Sequence, residues 1–220
     1  MDFGGMIETW SKVLIHPGEE TFVEERTRPQ ATIGTALLWI VIAAVVTGIL
    51  GWLQVRMVFS GNQFAAMIEQ MDLPPEATAQ MNAMIESGML GTIAGGSGVA
   101  SIIITPIFFL IGTGILQLIA RMFGGSGEFG RFAYLLAAIQ APISILNAVL
   151  GFVPFVGGCV AFALWIYSVV LTFFAIKAEH GLSDGRAIGT LLVPLVLVFL
   201  LFACAIAGFA GMIMSLQQGT

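Results

Sequence analysis

Four stretches of this chain carry no charge, and they decide what it can fold into. No Asp, Glu, Lys or Arg occurs between Arg28 and Arg56, between Glu86 and Arg121, between Arg131 and Lys177, or after Arg186. Only 10% of the residues are charged, against about 25% in an ordinary soluble domain. Crossing about 30 Å of hydrocarbon takes roughly 20 apolar residues at a rise of 1.5 Å each. Residues 31–55 therefore make one predicted span and 99–120 a second. The run from 132 to 176 is too long for one span and too short for three. It divides into 132–150 and 154–176 at Gly151-Phe152-Val153-Pro154-Phe155-Val156-Gly157-Gly158, where Pro and Gly permit a turn. Residues 187–214 form the fifth. The expected fold is all-α, a polytopic membrane protein with five transmembrane helices.

Basic residues set the expected orientation. Lys12, Arg26 and Arg28 precede the first span, Arg121 and Arg131 flank the second loop, and Lys177 and Arg186 flank the fourth. Arg56 alone falls on the other side, so seven of the eight basic residues share one face if the N-terminus is cytoplasmic. The expectation is N-terminus inside, C-terminus outside. The first run is no secretory signal, being too long for an h-region and starting about thirty residues in. Cys159 and Cys204 fall inside spans, where they read as small apolar packing residues.

Residues 1–30 form a cytoplasmic segment ahead of the membrane domain, 31–220. In it Phe3, Met6, Ile7, Trp10, Val13 and Leu14 recur at helical spacing, and His16-Pro17-Gly18 ends the helix. An amphipathic helix bearing Trp beside a membrane is expected to lie in the interface, the alternative being that it packs on the bundle's own loops. Glu19–Arg28 reads as a solvated, charged connector. The outer loop, 56–98, places Phe64, Met67, Ile68 and Met71, then Met81, Met84, Ile85 and Met89, on two short surface helices divided by Pro74-Pro75. Thioethers suit Cu(I), but no His or Cys accompanies these methionines, and no metal is expected.

Two motifs suggest chemistry and fail on context, and ion-coupled transport lacks its residues. Gly125-Ser126-Gly127-Glu128-Phe129-Gly130 has the G-x-G-x-x-G spacing of a dinucleotide cradle. It lies between apolar runs, and no acidic residue follows Glu128 until Glu179 to hold a ribose. Gly95-Gly96-Ser97-Gly98 matches the G-x-S-G of rhomboid proteases, yet both histidines, His16 and His180, sit on the opposite side from Ser97. An ion-coupled transporter needs ionisable groups in its spans, and here the polar residues are neutral: Thr47, Thr105, Thr113, Gln117, Gln140, Ser144, Asn147, Ser168 and Thr172. Gln140, Ser144 and Asn147 form one stripe, expected to hydrogen-bond between helices. Ala203, Ala207 and Gly211, at four-residue spacing, suggest close helix contact and self-association. Prolines 106, 142 and 194 are expected to kink their helices.

Read physically, the glycines of 124–127 let the chain reverse between spans, and Arg121 and Arg131 hold the helix ends at anionic lipid. Ser126 or Glu128 is placed to cap the third span, Ser183 or Asp184 the fifth, and Phe129 to re-enter the interface. The candidate partner- or lipid-contact surface comprises Arg121, Gly124, Gly125, Gly127, Phe129 and Arg131 of one loop. His180, Gly181, Leu182, Ser183 and Arg186 of the other complete it.

Five pieces then occur in order. They are Trp10-Ser11-Lys12-Val13-Leu14-Ile15-His16-Pro17 before the first span, and Gly124-Gly125-Ser126-Gly127-Glu128-Phe129 after the second. Ala141-Pro142 follows, then Val153-Pro154-Phe155-Val156-Gly157, then Glu179-His180-Gly181-Leu182-Ser183-Asp184-Gly185-Arg186-Ala187. This order resembles the Yip domain family, whose pattern includes W-x-x-V-L-x-x-P, G-G-x-G-x-F, A-x-P (here an adjacent Ala141-Pro142), P-x-x-G and H-G-L-S-x-G-x-A. The resemblance implies a non-enzymatic membrane organiser or adaptor that contacts lipids, other membrane proteins and copies of itself. Eukaryotic members sit in early secretory membranes and bind prenylated Rab-type GTPases. The thirty-residue N-terminus offers little surface for one, so a prokaryotic plasma-membrane role is the expectation. The alternative is a carrier or channel for a neutral or lipidic solute. No catalytic residue, cofactor or nucleic-acid partner is expected.

Overall fold

A computed structural model describes residues 3–59, 78, 79, 83, 89–153 and 156–218. These form helices, with no strand among the described residues: α1 (Phe3–Ile15), α2 (Glu19–Arg26), α3 (Ile33–Phe59), α4 (Met89–Met122), α5 (Phe129–Leu150), α6 (Val156–His180) and α7 (Asp184–Gln218). Four of the helices hold segments long and apolar enough to cross a membrane: Ile33–Gln54, Ala100–Met122, Phe129–Leu150 and Val156–His180. α7 adds a 35-residue helix with Pro194 inside it, and Pro106 and Pro142 lie within α4 and α5. The expected surface helices of the Met-rich loop fall almost wholly outside the described residues. Met89, expected in the second of them, opens α4 instead.

Interhelical bonds fix the directions. Trp39 near the start of α3 packs on Tyr134 near the start of α5, ring centroids 4.8 Å apart. Near the far ends, Gln54 Nε2 donates to the Ala148 carbonyl at 2.5 Å. α3 and α5 are therefore parallel. α4 and α6 run against them, since Gln117 near the end of α4 and His180 at the end of α6 both bond Gly127, just before α5 begins.

α5 is the axis of the bundle. Of its most apolar window 56% is buried, against 17% for α4 and α6. Lipid supplies no hydrophobic force between helices, so they associate through close packing and polar contacts. The sequence provides this with Ala133, Ala137 and Ala141 at four-residue spacing on α5 and with Ala36, Ala43 and Ala44 on α3, all buried. Ala137, with no exposed surface, has no room to grow. Ala137→Leu is expected to lower stability by about 1–3 kcal/mol through overpacking. A reduced thermal midpoint in detergent, beside an unaltered exposed Ala163→Leu, checks this.

Two sequence expectations are corrected, on α2 and on the cysteines, and α1 is given its contacts. Glu19–Arg28 is no solvated connector: its first eight residues form α2, which buries Phe22 and Glu25. The two sit three apart on one helical face, a spacing masked by the surrounding charge. α1 packs on the bundle through one face: Thr9 and Val13 are buried, and Met6, Trp10 and Leu14 join the core. Phe3, Ile7 and Ile15 stay exposed. Cys159 and Cys204 are free and exposed, so they face away from the bundle and do not pack it.

Candidate functional site

The end of the bundle that carries α1 and α2 also gathers the 123–128 loop and the 181–183 loop. Gly127 N–H donates to His180 Nδ1 at 3.1 Å, across 53 positions of sequence. Ser126 N–H donates to the His180 carbonyl at 3.4 Å, and Glu128 N–H donates to Glu179 Oε1 at 2.8 Å. From the membrane side, Gln117 Nε2 donates to the Gly127 carbonyl at 2.7 Å. A ring nitrogen that accepts a backbone N–H is unprotonated, so His180 is the neutral tautomer with its proton on Nε2. Its ring stands edge-on to Phe132 at 4.8 Å.

The glycines of the loop follow from this contact. A Cβ on Gly125 would lie 2.8 Å from His180 Cβ and 2.9 Å from the Ala120 carbonyl oxygen. A Cβ on Gly127 would lie 2.7 Å from His180 Nδ1 and 2.8 Å from Glu179 Cγ. Gly124 and Gly181 instead serve the turns, with φ of 93° and 63°, where a side chain is strained.

Two buried carboxylates hold the N-terminal helices to this end. Glu25 Oε2 accepts from Thr9 Oγ1 at 3.1 Å and from the Tyr134 hydroxyl at 3.3 Å. Its Oε1 lies 3.0 Å from an Arg28 nitrogen and 3.7 Å from Lys12 Nζ. Glu179 pairs with Arg131 at 3.2 Å and Arg26 at 3.9 Å, and Arg26 also donates to the Ala178 carbonyl at 2.5 Å. A buried carboxylate is tolerated only when paired and hydrogen-bonded. Three of the cations straddle the boundary, each reaching one buried and one exposed carboxylate. Lys12 joins Glu25 to Glu24, Arg28 joins Glu25 to Glu8, and Arg131 joins Glu179 to Glu128. The hydrogen bond from Lys12 holds the Glu24 carboxyl below its ordinary range. On the flank, Lys177 lies 2.6 Å from both Glu19 and Asp184, linking α2, α6 and α7.

The two loops predicted as a contact surface are thus side by side, but the residues divide. Arg121, Gly124, Gly181, Ser183 and Arg186 are exposed, and Gly125, Phe129 and Arg131 are half-buried. Gly127 and His180 are buried and act in the fastening, and Leu182 is buried in the core. The expectation that the Glu128 side chain caps α5 is corrected as well. Glu128 stands at the N-cap of α5 without a side-chain cap bond, because its carboxylate pairs with Arg131 and Glu179 accepts its N–H. Asp184 opens α7, but its carboxylate binds Lys177.

The stripe of Gln140, Ser144 and Asn147 lines a cavity of about 1070 Å³ between α4, α5, α6 and α7. It makes no bridge between helices among the described residues: Ser144 Oγ donates to the Ala141 carbonyl of its own helix, and Asn147 Oδ1 is buried without a partner there. Sequence reasoning missed both networks, Glu25 with Thr9, Lys12 and Tyr134, and Glu179 with Arg26. The available signal was Glu179 standing beside His180 after a long uncharged run, which gives an acid at a helix end a reason to be paired.

Membrane-length helices around an alanine-rich axis, with loops locked at one end, define an integral membrane protein of the helical, polytopic class. The Yip1 domain model matches residues 11–206, from within α1 to within α7, and the chain belongs to that family. No curated protein and no solved structure matches it.

Proposed function

We propose that this protein is a non-enzymatic membrane organiser. It crosses the plasma membrane five times, α7 being the fifth span, with its N-terminus inside and C-terminus outside. Its cytoplasmic end offers a contact surface to another membrane protein. The observation that carries this reading is the fastening of two loops, 53 positions apart, into one unit through Gly127 and His180. The fastening leaves Arg121, Ser126, Ser183 and Arg186 exposed on the same end. A surface held rigid by its own buried bonds loses little entropy on docking, and its arginines suit acidic partners or head groups.

Photo-crosslinking probes at Ser126 and Ser183 in native membranes test the reading. The expected result is one membrane protein, distinct from this chain, captured at both positions and lost when Arg121 and Arg186 are changed to Glu. Capture of lipid alone, or of this chain alone, at both positions overturns it.

A further inference from the structure

We propose that the cavity between α4, α5, α6 and α7 binds an uncharged, long-chain lipid that bears a free hydroxyl group. The cavity, about 1070 Å³, is at the upper limit of the roughly 300–1,000 Å³ typical of small-molecule sites. Its wall is mainly aliphatic and aromatic, and among the described residues none of those lining it is ionisable. A phosphate or ammonium taken into such a wall would be a buried, uncompensated charge. The occupant is therefore neutral.

The polar groups say what its head must offer. Ser144, Ser168 and Thr172 spend their hydroxyl protons on carbonyls of their own helices, Ala141, Trp165 and Ser168. Their oxygens can then only accept. Asn147 Oδ1 is a buried acceptor with no partner, and Thr113 Oγ1, on a residue 2% exposed, is likewise unpartnered. All five residues line the cavity. Buried polar atoms without partners are uncommon and call for a ligand group. Ser144, Ser168, Thr172 and Asn147 Oδ1 present acceptors, while the Thr113 hydroxyl and the Gln140 amide can also donate; a lipid hydroxyl, which donates and accepts, answers both. The rim explains entry: Ile104, Phe108 and Trp165 line the cavity and are also 47%, 67% and 51% exposed. The cavity thus opens sideways between helices, where a chain can enter from the bilayer.

The test uses the full-length protein in vesicles of a zwitterionic phospholipid, with a photoactivatable, clickable diacylglycerol as probe. Labelling is expected on α4, α5 and α6 peptides that line the cavity. Unlabelled diacylglycerol should compete, while its methyl ether, which has lost the donor, and phosphatidic acid should not. Each lost hydrogen bond is worth about 3–15-fold in affinity, so Thr113→Val with Asn147→Leu should cut labelling by about tenfold or more. Gly112 also lines the cavity, and an added Cβ there meets nothing within 4 Å. Gly112→Phe should abolish labelling while the thermal midpoint holds, which separates occupancy from folding. Equal competition by the methyl ether, labelling that both variants leave unchanged, or labelling confined to outward-facing residues overturns the proposal.

Discussion

Replacing Glu179 by alanine is expected to lower the stability of the folded protein by about 3 kcal/mol or more, the scale for removing one member of a buried ion pair. Its side chain is wholly buried, while Arg131 and Arg26 are 43% and 33% exposed. The orphaned arginines can turn toward water, which keeps the loss near the lower end of that scale. A second loss adds to it. Glu128 N–H donates to Glu179 Oε1, so alanine leaves an open donor at the start of α5. For a chain of this length the change corresponds to about 6–12 °C in thermal midpoint. Glu179→Gln retains an acceptor for Glu128 N–H but removes the charge, and should recover part of the midpoint. Glu128→Ala, at an exposed carboxylate, should stay within about 0.5 kcal/mol of the parent. Thermal scans of the three variants in one detergent decide the matter. Equal midpoints for Glu179→Ala and Glu128→Ala would mean that the buried carboxylate is not what holds this end together.

The membrane helices were legible because a hydrocarbon solvent writes its demand directly into composition. Long uncharged runs place α3, α5 and α6 within a few residues of their ends, and α4 at its C-terminal end, though α4 starts ten residues before the expected span. What the runs conceal is which face meets protein and which meets lipid, because both faces are apolar. Hence Cys159 and Cys204 read as packing residues though they point outward, and Ala133, Ala137 and Ala141 gave no warning that α5 is the axis. The N-terminal segment failed for another reason. EETFVEER looks solvated by composition, but burial of Glu25 rests on Lys12, Arg28, Thr9 and Tyr134, which come from two other elements, α1 and α5, and the turn after α2. A carboxylate paired by tertiary contacts has the same local sequence as one paired by water.

The loops were legible in part. Glycine content announced a reversal at 124–127, and Gly124 does take a positive φ. Gly125 and Gly127 have a different use that spacing cannot reveal, which is to let the loop backbone reach His180. The Glu179-His180-Gly181 segment is the complementary half of that contact. The two motifs thus make one structural unit split across the chain, and one half explains the residue types of the other.

That unit gives the second large effect. Gly125→Ala with Gly127→Ala is expected to undock the loop. Both new methyl groups fall under 3.0 Å from existing atoms, a separation that something must yield to relieve. At Gly125 the obstacles are a backbone carbonyl and a Cβ fixed at helix ends, which have little freedom to move. At Gly127 the obstacles are the His180 ring, held against Phe132, and the Glu179 stem, held by Arg131. The loop must therefore retreat, losing the Gly127 and Ser126 bonds to His180. Overpacking of this kind costs about 1–3 kcal/mol per site, and the two sites share one set of contacts, so their effects should not simply add. Leu182, only 5% exposed, reports the outcome. As Leu182→Cys it should resist a water-soluble maleimide in the parent and react at least tenfold faster once the loop retreats. Gly185→Ala serves as the control, since it lies in α7 with nothing within 4 Å of an added Cβ. Alanine there should be neutral or stabilise by up to about 1 kcal/mol, as expected for glycine replaced within a helix. Slow labelling of Leu182→Cys in the double-alanine variant, with no loss of thermal midpoint, would show that close approach to His180 is not what these glycines provide.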